Sequence, residues 1–287
     1  MELSVVIPCH NATGFLSEQL DALSDQSTGR SWEVIIADNG SNAGLVEILE
    51  GYRGHVPGLR LIEATRKKGA AYARNAGAHH ARGRNVAFLD ADDVVDESWV
   101  DGILKALERC EFVASRLEFG KLNSQELIRA QGNSQNRGLM DFSVVRFLPF
   151  ASTCGLAVRK DIHDSVGGFD ETMKYVEDAE YCWRLQLLGY ELCYAEDAVV
   201  HFRFRETLWQ SFRQAMNYGE YDVLLYKKYK EHKIPLQNRR RSIGDWKKLA
   251  VGINSVLRSD GRRVWVRSLG KKLGRLKGSA KYGIFVP

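Results

Sequence analysis

The sequence predicts an α/β protein in which helices flank a doubly wound, mostly parallel sheet, followed by a basic helical extension. Three observations support this fold class. Short apolar runs alternate with helix-favouring segments through the first 95 residues, a pattern typical of parallel sheets. The chain has 287 residues, of which 44% are hydrophobic and 27% charged, so it can bury a sizeable core. From residue 226 onward, basic residues dominate the composition.

The first part of the chain contains four apolar runs that predict buried strands and three segments whose spacing predicts helices. The first strand is expected to stop at Pro8, because proline cannot donate to a sheet ladder. The second is closed by an Asp-Asn-Gly turn. In chain order, the expected elements are a strand at 3–8, a helix at 15–23, a strand at 32–41, a helix at 45–52, a strand at 59–63, a helix at 68–78 and a strand at 86–89.

The next part of the chain continues the alternation with longer gaps. Residues 121–150 are only weakly periodic, and no structure is predicted for them. The expected elements are a helix at 99–107, strands at 111–117 and 153–159, a helix at 177–188 that Gly189 can end, and a strand at 191–194 that leads through Val199 and Val200 to His201. We therefore predict a domain at 1–205, divided into halves near residue 95, and a helical extension at 206–287.

Cysteine content and hydropathy predict the compartment in which the protein resides. The five cysteines are odd in number and widely spaced, so neither a zinc ribbon nor a disulfide framework is predicted. A reducing compartment is the simpler expectation. The amino terminus lacks a basic region of the kind that opens signal peptides, and no apolar run reaches about 18 residues. The expectation is a cytoplasmic protein without a spanning helix.

The extension is strongly basic. Residues 226–287 contain 18 lysines and arginines against three acids, whereas the first 225 residues carry a net charge of −10. Between residues 262 and 276, apolar side chains at helical spacing alternate with basic ones. This pattern is typical of a helix on an anionic membrane, so peripheral binding to the inner face of the membrane is one expectation. The alternatives are a packed helix with a solvated basic face and an oligomerisation element. Nucleic-acid binding is not expected, because no recognised motif accompanies the charge.

The run at 86–89 ends in three aspartates, Asp90, Asp92 and Asp93. Ligands of open parallel sheets bind at the carboxyl ends of the strands. Two carboxylates two residues apart can bind a divalent cation that also holds a diphosphate. The alternative is a strand end followed by a helix cap, where aspartate is common.

Further motifs accompany this acidic strand end in a fixed order. They are Ile-Pro-Cys-His-Asn at 7–11, Ala-Asp-Asn-Gly-Ser at 37–41, Lys-Gly-x-x-x-Ala-Arg-Asn-x-Gly at 68–77, and Glu-Asp at 177–178. The set resembles the family 2 glycosyltransferases over roughly residues 3–205. The resemblance implies a GT-A fold, with a nucleotide-sugar half at about 1–95 and an acceptor half at about 96–205.

By this resemblance, seven residues contact a nucleotide-sugar donor: Pro8, His10, Asp38, Lys68, Gly69, Arg74 and Asp90. Asp38 lies where a carboxylate reads the pyrimidine N–H, which favours a UDP-sugar. The family usually has two consecutive aspartates here, whereas this chain has Asp38-Asn39, so the base is less firmly assigned than the diphosphate.

The resemblance also assigns a metal site and a catalytic pair. Asp90 and Asp92 match the D-x-D element, and His201 is expected to complete a Mn²⁺ or Mg²⁺ site. Asp93 is expected to be mainly structural. An inverting transfer needs a carboxylate that takes the acceptor proton; this base is expected to be Asp178, supported by Glu177, although the two roles could be reversed.

The predicted function is metal-dependent, inverting transfer of a sugar from a nucleotide-sugar, a UDP-sugar by preference, to a hydroxyl of a glycan or lipid-linked acceptor. A cell-envelope glycan would suit the basic extension. One alternative is a sugar nucleotidyltransferase, which typically needs a glycine-rich basic loop after the first strand; Ile-Pro-Cys-His-Asn is not one. The other is a carbohydrate-binding protein that kept the fold and lost turnover.

Overall fold

The structure is a computed structural model that describes residues 1–131, 134–142, 147–232, 234 and 246–286. The chain divides into two compact units. The first unit comprises Met1–Lys121, Ser134–Met140 and Phe150–Arg203. The second comprises the described residues of 122–133, 141–149 and 204–287.

The first unit is built on one eight-stranded sheet with the strand order β3-β2-β1-β4-β7-β6-β8-β5. Six strands run in one direction, and the short strand β5 and strand β7 run against them. The predicted mostly parallel α/β sheet is therefore confirmed, with two reversed strands. The strands are β1 Leu3–Cys9, β2 Trp32–Asp38, β3 Arg60–Glu63, β4 Asn85–Phe88, β5 Val94–Val95, β6 Phe112–Glu118, β7 Leu156–Arg159 and β8 Leu192–His201.

Six described helices belong to the first unit: α1 Thr13–Ser24, α2 Leu45–Gly51, α3 Ala70–His80, α4 Trp99–Leu107, α6 Lys160–Ser165 and α7 Glu177–Leu187. The second unit contains α5 Gln125–Gln131, α8 Leu208–Tyr229 and α9 Ser259–Tyr282, and residues 246–251 are also helical. Helix α4 has the predicted bounds. Helices α5 and α6 had no predicted counterpart. The sequence predicts that Asp245 caps a helix of the extension, and that residue lies outside the described part of the chain.

Strand β1 continues one residue beyond its predicted end, so the expected stop at Pro8 is wrong. Successive residues of a parallel strand turn their backbone groups to opposite neighbours. Cys9 accepts from Asn39 on the β2 side, whereas Val6 accepts from Leu89 on the β4 side. Pro8 therefore faces β4, whose pairing with β1 ends at Val6. The missing N–H costs β1 no bond to β2.

An aromatic cluster in the core lies beneath the residues that form the site. The ring centroids of Phe88 and Phe169 are 4.9 Å apart, and those of Phe169 and Tyr181 are 4.3 Å apart. His163 belongs to the same cluster and contacts the Tyr181 hydroxyl at 2.8 Å. Burial lowers the pKa of His163 to about 4, so its ring is neutral and packs as part of the core. The cluster joins β4 to α7.

Two of the five cysteines are paired, which corrects the expectation of no disulfide. Cys110 and Cys193 form a disulfide across 83 residues of sequence. Their spacing carried no signal, because pairing of β6 with β8 brings them together. The pairing also removes the compositional argument for a reducing compartment. Cys9, Cys154 and Cys182 are free and buried.

In the second unit, glycines allow α8 and α9 to pack closely. Gly270, Gly274 and Gly278 recur every fourth residue of α9, and a Cβ on any of them would contact α8 backbone atoms. Basic residues of α9 also pair with α8: Asp222 lies 3.2 Å from Arg275 Nε and 3.5 Å from Lys271 Nζ. Part of the basic surface is thus used in ion pairs within the unit.

Replacing Gly274 by alanine should destabilise the second unit by about 1–3 kcal/mol, because the new methyl group would overlap the carbonyl oxygen of Met216. Thermal unfolding followed by circular dichroism at 222 nm measures the change. Gly14→Ala in α1 is the control, since its Cβ would have no neighbour within 4 Å, and its effect should stay within about 0.5 kcal/mol. Equal losses in the two variants would contradict the close-packing account.

Among the described residues, no helix combines the length and hydropathy needed to cross a bilayer.

Candidate active site

The carboxyl ends of β1 and β2 bring three predicted donor contacts to one edge of the sheet. Pro8 is the next-to-last residue of β1, exposed His10 follows that strand, and Asp38 ends β2. Asn11 joins the loops that follow the two strands. Its side-chain oxygen accepts from the Asn42 N–H at 2.8 Å, and its own N–H donates to the Ser41 hydroxyl oxygen at 3.2 Å. The geometry therefore places a polar, accessible loop pair where a ligand could lie.

Asn39 holds the loop that carries Lys68 and Gly69. Its side-chain nitrogen donates to the carbonyl groups of Ala64 and Lys67, the latter at 2.8 Å. Its side-chain oxygen accepts from the Gly69 N–H at 2.9 Å. An aspartate could accept but could not donate. The departure from two consecutive aspartates therefore has a structural cause, because this loop uses both functions of an amide.

Arg74 joins the acidic end of β4 to the start of α7. Its side chain is buried, with 3% of the residue exposed, and Nη2 lies 2.7 Å from Asp90 Oδ1 while Nη1 lies 2.9 Å from Glu177 Oε1. Burial would lower the pKa of Arg74, but the charges of Asp90 and Glu177 raise it above its ordinary value. Two carboxylates that are 87 residues apart in sequence are thus held by one cation.

The residues next to Arg74 fix the approach to α7. Asn75 donates to the carbonyl of Phe169 at 2.9 Å and accepts from its N–H at 2.8 Å. Lys67 pairs with Glu171 at 2.8 Å. Gly168 has φ +68°, and a Cβ there would overlap the Asn75 side chain. The Gly-Gly-Phe-Asp-Glu turn at residues 167–171 is therefore held against α3 and the loop that precedes α3.

The predicted catalytic pair begins α7 directly after a strained residue. Val176 has φ 63°, a left-handed conformation that is costly for a β-branched side chain. Glu177 and Asp178 follow in the first helical turn, and Asp178 Oδ1 accepts from the Ala179 N–H at 2.8 Å. Burial, with a contribution from the charge of Glu177, raises the pKa of Asp178 to about 7. A carboxylate poised near neutral pH can accept a proton during a reaction.

The three aspartates after β4 differ in environment. Asp90 and Asp92 are partly exposed, whereas Asp93 is 1% exposed. Asp93 accepts from the Cys154 thiol and from the Arg203 N–H, each at 2.7 Å. Burial and the charges of Asp90 and Asp92 raise the pKa of Asp93 well above its ordinary value. Asp93 is a buried support of residues 90–93, which we call the acidic turn. Asp90 and Asp92 are partly exposed.

Arg203 is a site residue that the sequence did not reveal. Its Nε donates to the Asp92 carbonyl at 2.9 Å, and Nη2 lies 2.7 Å from Glu18 Oε2. Its guanidinium lies 4.9 Å from the ring centroid of Phe15. Arg203 therefore fixes the backbone of the acidic turn and ties it to α1. Its position two residues after His201 is the only sequence signal, and it does not indicate Asp92 as the partner.

His201 uses one of its two ring nitrogens in a hydrogen bond to the described residues. Its Nδ1 lies 2.8 Å from Glu118 Oε2, and because a carboxylate only accepts, Nδ1 carries the proton. Its buried Nε2 has no hydrogen-bond partner among the described residues, and the nearest carboxylate oxygen, on Asp96, is 3.7 Å away. Metal-binding histidines commonly donate their other N–H to a carboxylate in this way.

Within the described residues, the donor atoms of Asp90, Asp93 and Cys154 form a three-member group that could hold a metal ion, and they lie within 4.8 Å of one another. Burial raises the pKa of the Cys154 thiol, which stays protonated and donates to Asp93. That group suits Mn²⁺ or Mg²⁺ poorly, since these ions prefer oxygen ligands. The accessible carboxylates of Asp90 and Asp92 suit them better. The group does not include His201.

Comparison with known proteins identifies the family. Residues 4–167 match the sequence profile described as "Glycosyl transferase family 2", which is more than half of the chain. The chain belongs to glycosyl transferase family 2. The matched part of this family 2 protein includes the residues predicted to contact the donor and the acidic turn, and ends before α7 and His201.

Individual relatives of the family 2 protein are distant. "Glycosyltransferase AglE" of Haloferax volcanii is 26% identical over 200 residues, covering 69% of this chain and 65% of AglE. The chain thus spans less than two thirds of that relative's length.

Two solved structures share the fold. Mannosyltransferase PcManGT from Pyrobaculum calidifontis, in complex with GDP-Man and Mn²⁺, has a TM-score of 0.68 at 16% identity, covering 96% of this chain and 86% of that one. S. aureus TarS 1–349, in complex with UDP-GlcNAc, has a TM-score of 0.56 at 15% identity, covering 100% of this chain and 93% of that one. The predicted GT-A fold is confirmed.

Proposed function

We propose that this family 2 protein is a metal-dependent, inverting glycosyltransferase that moves a sugar from a nucleoside-diphosphate sugar to an acceptor hydroxyl. One observation carries the proposal. Arg74 holds the donor-side Asp90 and the acceptor-side Glu177 in one cluster, at 2.7 and 2.9 Å, beside an Asp178 carboxyl whose pKa is raised to about 7. This cluster supports donor binding and proton transfer at one place.

In the proposed reaction, Asp178 takes the proton of the acceptor hydroxyl as its oxygen attacks the anomeric carbon. The bond from that carbon to the diphosphate oxygen breaks, and the nucleoside diphosphate leaves with the electron pair. Attack opposite to the leaving group inverts the configuration. The geometry favours Asp178 over Glu177 as the base, because Glu177 is held in an ion pair by Arg74 at 2.9 Å. Glu177 then positions the acceptor and the start of α7.

We propose a UDP-sugar as the donor. Asp38 at the end of β2 supports the assignment, since its carboxylate can accept from a pyrimidine N–H. Pro8 and His10 would cover the base and ribose, and Lys68 and Gly69 would approach the diphosphate. The structural neighbours were solved with a UDP-sugar and with a GDP-sugar, so fold alone leaves the base open.

We propose that Asp90, Asp92 and His201 hold a divalent cation, manganese or magnesium. Such an ion would neutralise the negative charge that develops on the departing nucleoside diphosphate. The accessible carboxylates and the unpartnered His201 Nε2 support this ligand set. Arg203 and Asp93 hold the backbone of the acidic turn.

A thermal-shift screen tests donor and metal together. With Mn²⁺ present, one UDP-sugar at about 100 times its Kd should add about 2.7 kcal/mol to the stability and raise Tm by several degrees. EDTA should abolish this shift, and excess Mn²⁺ should restore it. UDP-sugar hydrolysis should follow the same pattern. A shift that survives chelation would remove the metal role, and a shift with GDP-sugars alone would overturn the base assignment.

The pH dependence of kcat/KM should report the raised pKa of Asp178, because this parameter reflects groups in the free enzyme. The base must be ionised, so activity should rise with pH and reach half its plateau near pH 7. Below that value it should fall roughly tenfold for each pH unit. Initial rates between pH 5 and 9 measure the profile. A flat profile down to pH 5 would contradict Asp178 as the base.

The acceptor is proposed to be a glycan or lipid-linked molecule that meets the protein at the inner face of the membrane. The support is the charge of the extension, with 18 basic residues against three acids from residue 226 onward. Exposed apolar side chains accompany this charge in the second unit, among them Val251 at 79% and Ile253 at 57% exposure. Basic and apolar side chains together are what an anionic membrane surface binds. Self-association through the helices of the extension is the competing proposal.

A further inference from the structure

Helix α1 carries a buried amide to which the proposed sugar transfer assigns no role. Gln19 lies within this helix and has no exposed surface. Its side-chain oxygen accepts from the Val95 N–H at 3.0 Å, and its side-chain nitrogen donates to the Asp90 carbonyl at 3.5 Å. One side chain therefore bonds to the backbone on both sides of Asp92 and Asp93.

The two bonds of Gln19 lie at the two ends of one short segment. Asp90 begins the acidic turn, and Val95 belongs to β5, which pairs with the end of β8. In this pairing Val94 lies opposite His201. The distance between the acidic turn and His201 therefore depends on how the segment from 90 to 95 is folded, and Gln19 joins the ends of that segment.

The packing of α1 does not explain an amide at this position. The other buried residues of the helix are Leu16, Leu20 and Leu23, each with no exposed surface. Burying an amide among apolar side chains costs free energy unless its donor and its acceptor are both bonded. The bonds that satisfy Gln19 are those to the acidic turn and β5, so the amide serves that segment and not the helix.

Two arginines hold the acidic turn in other ways. Arg74 contacts the carboxylate of Asp90, and Arg203 donates to the carbonyl of Asp92. These contacts restrain individual groups of the turn. Gln19 instead restrains the span from the start of the turn to β5, which is the part of the chain that relates the turn to β8.

We propose that Gln19 is a positioning residue that sets the affinity of the proposed cation site by fixing the spacing between the acidic turn and His201. This inference rests on the proposed function, in which Asp90, Asp92 and His201 hold a manganese or magnesium ion. Side chains that orient metal ligands without touching the metal change metal affinity by roughly 10–100-fold. Gln19 acts in this way through the backbone of Asp90 and through β5.

Gln26, two residues after the end of α1, provides a matched control. Its side-chain nitrogen donates to the Asp96 carbonyl at 2.7 Å, and its side-chain oxygen accepts from the Val100 N–H at 3.0 Å. The two glutamines thus make the same kinds of bond to the backbone, but those of Gln26 lie beyond β5. Asp96 also has its own N–H bond to the Val199 carbonyl at 3.0 Å, which does not depend on Gln26.

The test measures Mn²⁺ binding to the full-length protein by calorimetry, with the metal alone and with saturating UDP. Gln19→Met retains the length of the side chain and removes both amide functions, and Gln26→Met does the same at the control position. Gln19→Met should bind Mn²⁺ roughly tenfold or more weakly, whereas Gln26→Met should bind it like the wild type. Circular dichroism melts measure stability, which both variants should lose to a similar extent. Gln19→Asn, whose amide is one methylene too short to reach both partners, repeats the test if methionine prevents folding.

The outcomes separate a positioning role from a structural one. Weaker Mn²⁺ binding in the Gln19 variants alone, restored to full occupancy by excess Mn²⁺, supports the inference. Wild-type affinity in the Gln19 variants, or equal weakening in the Gln26 variant, would overturn it and leave the proposed sugar transfer unaffected. If the wild type binds no Mn²⁺ in either titration, the proposed metal role fails, and the role of Gln19 fails with it.

Discussion

Replacing Asp178 by asparagine should lower kcat for sugar transfer by roughly 10²–10⁴-fold and leave UDP affinity nearly unchanged. An amide cannot take the acceptor proton, but it has the size of the carboxyl group and can still accept from the Ala179 N–H. Steady-state kinetics and calorimetric titration of UDP measure the two effects. The split between a lost kcat and a retained Kd distinguishes a base from a donor-binding group.

Asp161→Asn is the matched control, because its side chain is 63% exposed and lies in α6, outside the proposed site. Its kcat should equal that of the wild type. Stability gives a second check. The pKa of Asp178 is raised in the folded protein, so the stability of the wild type falls as pH rises from about 4 to 7, as the carboxyl group loses its proton. Asp178→Asn should lack this loss. If the variant keeps its turnover, Asp178 is not the base and Glu177 becomes the next candidate.

Replacing Arg74 by methionine should destabilise the first unit by about 3–5 kcal/mol, because it leaves Asp90 and Glu177 without their shared cation. Methionine retains much of the length and apolar character of the buried stem. Urea unfolding at pH 7 measures the change. The control is Arg53→Met, which removes a pair with Glu50 whose arginine side chain is 74% exposed, and it should cost no more than about 0.5 kcal/mol.

The pH dependence of the Arg74→Met defect separates charge from packing. Burial raises the pKa of Glu177 above its ordinary value, and the charge of Arg74 opposes this rise. Without the arginine, Glu177 should take up a proton more readily, and a neutral carboxyl group costs less to bury. The defect should therefore shrink between pH 7 and pH 5. A defect of equal size at both pH values would show that Arg74 acts by filling space.

Local sequence signals were sufficient for the elements of the first 107 residues, with the exception of β5. Each run there is long enough to show its period, and glycine, proline or aspartate marks its end. The direction of each strand could not be predicted from local sequence. Strand β7 runs against β4 and β6, and β5 has only two residues, so both depend on pairing with distant strands. Residues 121–150 gave no periodic signal, and α5 within them belongs to the second unit.

In the candidate site as well, residues that are adjacent in sequence were predicted, and residues that only the fold brings together were not. The acidic strand end and the Glu-Asp pair were visible because their residues are adjacent in sequence. The supports of the acidic turn were not, since Cys154 lies 61 residues from Asp93 and Arg203 lies 111 residues from Asp92. Arg74 was expected to contact the donor, and its two carboxylate partners could be found only once β4 and α7 had been brought together. The role of each predicted site residue remains a prediction for the variants above.

Pro8 gives the sheet a boundary at the position where chemistry is proposed to begin. Beyond Val6, the next backbone group of β1 that faces β4 is the proline nitrogen, which has no hydrogen to offer. Pro8 therefore contributes no N–H to the pairing between β1 and β4, although β1 still follows β2 as far as Cys9. On the β4 side, the chain reaches Asp90 two residues after its own pairing with β1 ends. Because Pro8 has no N–H to donate, it cannot bond to a carbonyl group of the acidic turn. The carboxylates of this turn are then available to a ligand.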